Sequence, residues 1–197
     1  MGVIVGIVSG VALAGAVYRR VFARAACVVH ELFSSANLSK WRLVRGYEDR
    51  PAWGWRQGGY TGDNSCIAYP QEFGNFVLEC EFLFQGKGEG GIQLRGDAGA
   101  AESWEVGYQL DVDWAPDKTH GHIHFPVNPT PYCGEALFTV GEWHAVRVTA
   151  DGPKIVVELD GNQVLEFEDD EYTSGHICLQ GEKDGVLYRE LKVIERK

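Results

Sequence analysis

Phe76-Val77-Leu78-Glu79-Cys80-Glu81-Phe82-Leu83-Phe84 reads in period two, with Phe76, Leu78, Cys80, Phe82 and Phe84 in one phase and Val77, Glu79, Glu81 and Leu83 in the other. Successive side chains of a strand point to opposite faces, so this stretch is a strand with one apolar face and one mixed face. Working outward, residues 86–91 are a glycine-rich loop, and alternation returns over residues 92–95 and 106–113. Residues 155–159 and 164–167 flank Asp160-Gly161-Asn162, a hairpin turn by its chemistry. Residues 176–180 and 186–194 close the chain as strands around Lys183-Asp184-Gly185. No stretch after residue 40 keeps a 3.6-residue apolar period. Seven or more evenly spaced strands predict an all-β fold, a two-sheet antiparallel sandwich.

The first residues obey a different rule. Gly2, Gly6, Gly10 and Ala14 stand four apart, the last three inside an uncharged apolar run from residue 3 to residue 18. On a helix they stack into one face nearly free of side chains, which lets a second helix approach closely in lipid. The run covers only about 24 Å at helical rise, against a bilayer core of ~30 Å. Arg19 and Arg20 can snorkel, and Val21, Phe22 and Ala23 extend the apolar character. A secretory signal needs positive charge ahead of its apolar core, and here every early charge follows it, at Arg19, Arg20 and Arg24. The expected organisation is a transmembrane anchor helix at 1–24, a linker at 25–34 and a β-sandwich at 35–197. The arginines keep the cytoplasmic side by the positive-inside rule, so the domain is expected to face the cytoplasm. A cleaved signal would instead export it. The expected partners of the N-terminus are the lipid bilayer and the helix of a membrane protein.

Three of the 18 basic residues and none of the 28 acidic ones lie in residues 1–30, which leaves 15 against 28, a net charge of −13, on the remainder. Such a surface repels phosphate backbones, which argues against nucleic acid as a partner. The five cysteines, at 27, 66, 80, 133 and 178, are scattered and lack CxxC spacing.

Gly107-Tyr108-Gln109-Leu110-Asp111-Val112-Asp113 sets Gln109, Asp111 and Asp113 on one face. The same phase logic groups Gln93 with Arg95, Glu79 with Glu81, and His120 with His122 and His124. If these strands are neighbours, one sheet face carries carboxylates, imidazoles, amides and an arginine, as a sugar site requires. Trp104, Trp114 and Tyr132 could stack on a sugar ring. The plain alternative is a solvated sheet face. Asp111 or Asp113 could also hold a structural Ca²⁺, and His122 and His124 with Asp111 a transition metal. The sequence requires neither ion.

Six motifs in order resemble the 3-keto-disaccharide hydrolase domain family. Glu31-Leu32-Phe33 with Leu38-Ser39-Lys40-Trp41 is similar to its opening, residues 74–82 to its "yggFvLrlEf" strand, and residues 91–95 to "SGIflR". Residues 107–113 resemble "GYEVQID", residues 141–144 the "geWN" turn, and residues 175–180 with 188–191 the closing "GhIgLQ…FRNI". The resemblance covers residues 31–196 and implies a concanavalin-like jelly roll. It also implies cleavage of glycosides whose sugar carries a keto group at C3. Gln109 stands where the family usually has Glu, and Asp111 where it usually has Gln.

If the chain is an enzyme, Asp111, Asp113, His124 and Arg95 are the expected catalytic residues, with Glu81, Gln93, Gln109, Trp104 and Trp114 on the substrate. Three functions are therefore open. One is a membrane-anchored, non-catalytic accessory subunit of a membrane complex. The others are a 3-keto-glycoside hydrolase or lyase, and a lectin-like carbohydrate binder.

Overall fold

Two-faced strands bury their apolar sides by pairing sheet against sheet, and this chain does so with strands numbered in chain order. The computed structural model describes residues 27–33, 38–45, 53–99, 106–114, 121–124 and 135–196, with backbone alone at Arg45, residues 122–124, Glu135 and Arg196. One sheet holds β1 (Cys27–Glu31), β3 (Gly54–Arg56), β4 (Gly59–Thr61), β6 (Phe76–Phe84), β11 (Trp143–Asp151), β12 (Lys154–Leu159), β13 (Asn162–Glu168) and β15 (Val186–Arg196). The other holds β2 (Arg42–Arg45), β5 (Ser65–Phe73), β7 (Gly90–Gly96), β8 (Tyr108–Trp114), β9 (Gly121–His124), β10 (Glu135–Phe138) and β14 (Gly175–Gly181). The first runs β13-β12-β11-β6-β15-β4-β3 with β1 also on β15, and the second runs β10-β9-β8-β7-β14-β5-β2. The two-sheet antiparallel sandwich expected from the alternation is therefore present.

The inward phase of β6 supplies Leu78, Phe82 and Phe84, all fully buried, against Ile92, Leu94, Leu110, Ile177 and Leu179 of the facing sheet. Phe82 meets Phe138 edge to face at 5.0 Å, and Phe84 meets Trp114 in the same way at 5.5 Å. Tyr188 crosses the interior from β15. Its hydroxyl donates to the Gln180 carbonyl at 3.0 Å, with the Gly91 carbonyl next at 3.4 Å. A Cβ at position 90 would lie 2.6 Å from that hydroxyl, so glycine there lets the phenol reach the far sheet.

Two local expectations change, and one strand shows no alternation to read. Residues 27–31, expected in a linker, form β1, paired antiparallel to the end of β15. Strand β5 has no clean alternation because residues 65–69 are all buried, and a strand covered on both faces loses the period-two signature. Glu79 and Glu81 sit on β6, in the other sheet from β7 and β8. No helix among the described residues is long and apolar enough to cross a membrane. Gly2, Gly6, Gly10 and Ala14 lie outside the described residues.

Phe82→Ala is expected to cost about 3–5 kcal/mol through the cavity it leaves. Urea denaturation should then show a lower midpoint at unchanged slope.

Candidate functional site

Antiparallel register assembles one polar row across five strands of the seven-stranded sheet. Gln180 on β14 pairs with Gly91 on β7, Gly91 with Asp111 on β8, Asp111 with His124 on β9, and His124 with Glu135 on β10. On one side, Gln93 pairs with Gln109, and on the other Asp113 pairs with His122. Directly opposed residues share a sheet face, and β8 turns Tyr108, Leu110 and Val112 inward, so these rows occupy the outer face. Gly91 leaves the middle of the row open: a Cβ there would lie 3.0 Å from both Asp111 Oδ1 and Gln109 Nε2.

Over that gap runs a chain of hydrogen bonds. Gln109 Nε2 donates to Asp111 Oδ1 and, at 2.6 Å, to Gln180 Oε1. Gln180 Nε2 in turn donates to Glu89 Oε1 at 3.1 Å. Two amides thus bridge two carboxylates. Burial raises the Asp111 carboxyl from its ordinary 3.8 to about 7; the Gln109 amide opposes the rise, and the Glu89 and Asp113 charges add to it. Glu89 is also raised, first by burial and then by the charges of Glu182 and Asp113. A carboxyl poised near neutrality can take up and release a proton at physiological pH, which is what a general base needs.

The expected site residues divide between this face and other places. Gln109, Asp111 and Asp113 come together, and register sets positions 122 and 124 beside them. Gln93 is buried and turns aside, donating to the Val106 carbonyl at 2.5 Å. Glu81 lies in the other sheet and accepts from Arg189 Nε at 2.5 Å. Trp114 falls in the inward phase of β8 and packs on Phe84. Trp104, His120 and Tyr132, and the side chains of His122 and His124, lie outside the described residues.

Arg95 departs from its expected place for a local reason. The register of β14 against β7 slips between His176 and Cys178, and Arg95 takes φ of 54°. Such a bulge breaks the alternation and re-aims the side chain. The guanidinium is 1% exposed and donates to the carbonyls of Gly74 (3.0 Å), Tyr172 (2.8 Å) and Gly152 (2.9 Å). It ties three turns at one end of the sandwich, and its donors are committed there.

Gln180 and Glu89 escaped the sequence reading. Gln180 carried a signal, the outward phase of a closing strand. Glu89 lies in a glycine loop without period, so only register reveals it. Among the described residues no three His, Cys, Asp or Glu side chains form a metal-binding group. The mixed imidazole and carboxylate positions at 111, 122 and 124 would suit a transition metal better than Ca²⁺.

Folding raises the Asp111 pKa, so the native state holds a proton that the unfolded chain has released. Stability should therefore fall as pH rises from about 4 to about 7 and then level off, and Asp111→Asn should flatten that fall in thermal unfolding across the range. Arg95→Met should leave three carbonyls without their donor and cost about 3 kcal/mol, read as a lower denaturation midpoint.

The fold has many solved counterparts. The carbohydrate-binding module CBM66 from Bacillus subtilis superposes with a TM-score of 0.60 at 20% identity, covering 80% of this chain and 98% of its own. A galectin-like protein of unknown function from Bacillus subtilis gives 0.61 at 14% identity, covering 87% and 98%. SCLam, a non-specific endo-β-1,3(4)-glucanase of family GH16, gives 0.56 at 12%, covering 89% and 92%. At these identities the likeness is one of fold. No curated protein matches the sequence. The family model for the 3-keto-alpha-glucoside-1,2-lyase-like domain matches residues 29–194. The ordered motifs, the sandwich and this match agree: the chain belongs to the 3-keto-alpha-glucoside-1,2-lyase-like domain family.

Proposed function

We propose that the sandwich acts on glycosides of 3-keto sugars, with Asp111 as the base. The observation that carries this reading is a half-buried carboxylate, its pKa pushed up to about 7, on an outer sheet face among amide and carboxylate neighbours. A keto group at C3 acidifies the C2 proton. Asp111 takes that proton, and the electron pair left at C2 is held as the enolate. When the enolate collapses, the C1–O bond breaks, the departing oxygen gains a proton, and a C1–C2 double bond remains for water to add across. The imidazoles at 122 and 124 are the candidates for that proton delivery.

The exchange of Gln109 and Asp111 relative to the family's usual pattern is compatible with this reading. A Glu at 109 would set a carboxylate against both Gln180 Oε1 and Asp111 Oδ1, where Gln109 now donates. Purified protein given a 3-keto-disaccharide should release 3-keto sugar, with kcat/KM rising through about pH 7. Asp111→Asn should lower the rate by about 10²–10⁴-fold. Absence of turnover with any 3-keto glycoside would end the proposal. Gln109→Glu alone should lose activity, and Gln109→Glu combined with Asp111→Gln should regain part of it.

A second reading, a membrane-anchored and non-catalytic accessory subunit, is favoured by one observation. Arg95, the cation expected to hold an oxyanion, is instead spent on three backbone carbonyls. The glycine ladder adds the expectation of a helix partner. Under this reading, mild detergent extraction yields stoichiometric co-migration with a membrane assembly that Gly6→Leu with Gly10→Leu abolishes. Migration as a free monomer would oppose it.

A further inference from the structure

The hydrogen-bond chain over Gly91 runs between two carboxylate acceptors, Asp111 at one end and Glu89 at the other. A carboxylate oxygen accepts, whereas an amide group offers either a carbonyl or an NH₂ to a given neighbour. Glu89 accepts from Gln180 Nε2, which turns Gln180 Oε1 toward Gln109. Gln109 answers with its NH₂, and its second hydrogen is then aimed at Asp111 Oδ1. Both amide hydrogens of Gln109 are used, so its carbonyl is the atom left to meet a ligand hydroxyl.

Glu89 is a fixed end for such a chain. It directly precedes β7, and its own carbonyl accepts from Glu182 N at 3.0 Å. A Cβ at Gly88, where φ is 61°, would lie 2.3 Å from the Glu182 carbonyl, so the loop is pressed onto the turn that joins β14 to β15. Gln180 stands two residues before that same turn. Loop, turn and strand therefore hold Glu89 and Gln180 in a set relation. Asp111 Oδ1 also selects the NH₂ of Gln109, but only the acceptor at 89 selects the end of Gln180 that turns Oε1 to the other hydrogen of Gln109 and so holds that amide at two points.

We infer that Glu89 is a positioning residue, acting through Gln180 to hold the Gln109 amide against Asp111. The inference rests on the reading of Asp111 as the base, but its physical content is separate from catalysis. The test uses the full-length chain in detergent, labelled with ¹⁵N, and follows solvent exchange of the Gln109 side-chain NH₂, assigned by its loss in Gln109→Met. Glu89→Ala and Gln180→Met should each speed that exchange about fivefold, the weight of one net hydrogen bond. Glu89→Gln, whose carbonyl can still accept from Gln180, should restore the slow rate. With a 3-keto-disaccharide, Glu89→Ala should lower kcat by a similar factor and leave KM within about twofold, as expected when a group acts only in the transition state. Unchanged Gln109 exchange in Glu89→Ala would overturn the inference. Exchange that behaves as described in a protein without turnover would keep the positioning role and end the enzymatic reading.

Discussion

Tyr188 joins the core to the face that carries the polar site. Its ring is fully buried between the sheets and stacks near Trp53 at 6.1 Å, while its hydroxyl holds the backbone of β14 beneath Gln180. A buried hydroxyl needs a partner, and satisfying it on the opposite sheet fixes how the two layers sit. Strand β14 lies inside the seven-stranded sheet, between β7 and β5. The row Gln180–Gly91–Asp111 is therefore set by the core below as much as by the hydrogen bonds above. Adjacent glycines at 90 and 91 serve the two sides, one admitting the phenol and the other the amide and carboxylate.

The two outer faces of the sandwich differ in how they manage charge. On the eight-stranded sheet, Arg147 bridges Glu79 and Glu158, Lys192 reaches the other oxygen of Glu79 at 2.7 Å, and Arg189 pairs with Glu81. Arg189 also lies 3.8 Å over the Trp143 ring. Each of these three carboxylates has a cation, and the result is a paired, half-solvated surface. On the seven-stranded sheet Asp111 has an amide in place of a cation, and burial lifts its pKa. The contrast is electrostatic: pairing with a cation holds a carboxylate charged, and burial beside an amide favours its protonated form.

Arg95 illustrates how a single backbone irregularity redirects a side chain. On an unbroken strand it would share its face with Gln93, beside the carboxylates. The bulge carries it to the end of the sandwich, where buried carbonyls of three turns would otherwise lack donors. In the proposed reaction the negative charge develops on the enolate beside Asp111, which the committed guanidinium of Arg95 does not serve, and the positions opposite Asp111 on β9 are the nearest candidates to stabilise it.

The sequence alone determined the strands with a solvated face, because burial on one side only prints a period of two. It determined the grouping of Gln109, Asp111 and Asp113 for the same reason. The order of the motifs carried the family and, with it, the sandwich. It could not decide that β6 lies in the other sheet from β8, since period describes a strand and not its neighbours; Glu81 was therefore grouped with residues behind which it lies. It could not expose β5, buried on both faces, or the bulge at Arg95, which depends on register with β14. Gln180 and Glu89 join the site only through hydrogen bonds between residues 71 and 91 positions apart. Contacts at that separation are set by sheet topology, and no local pattern in the chain records them.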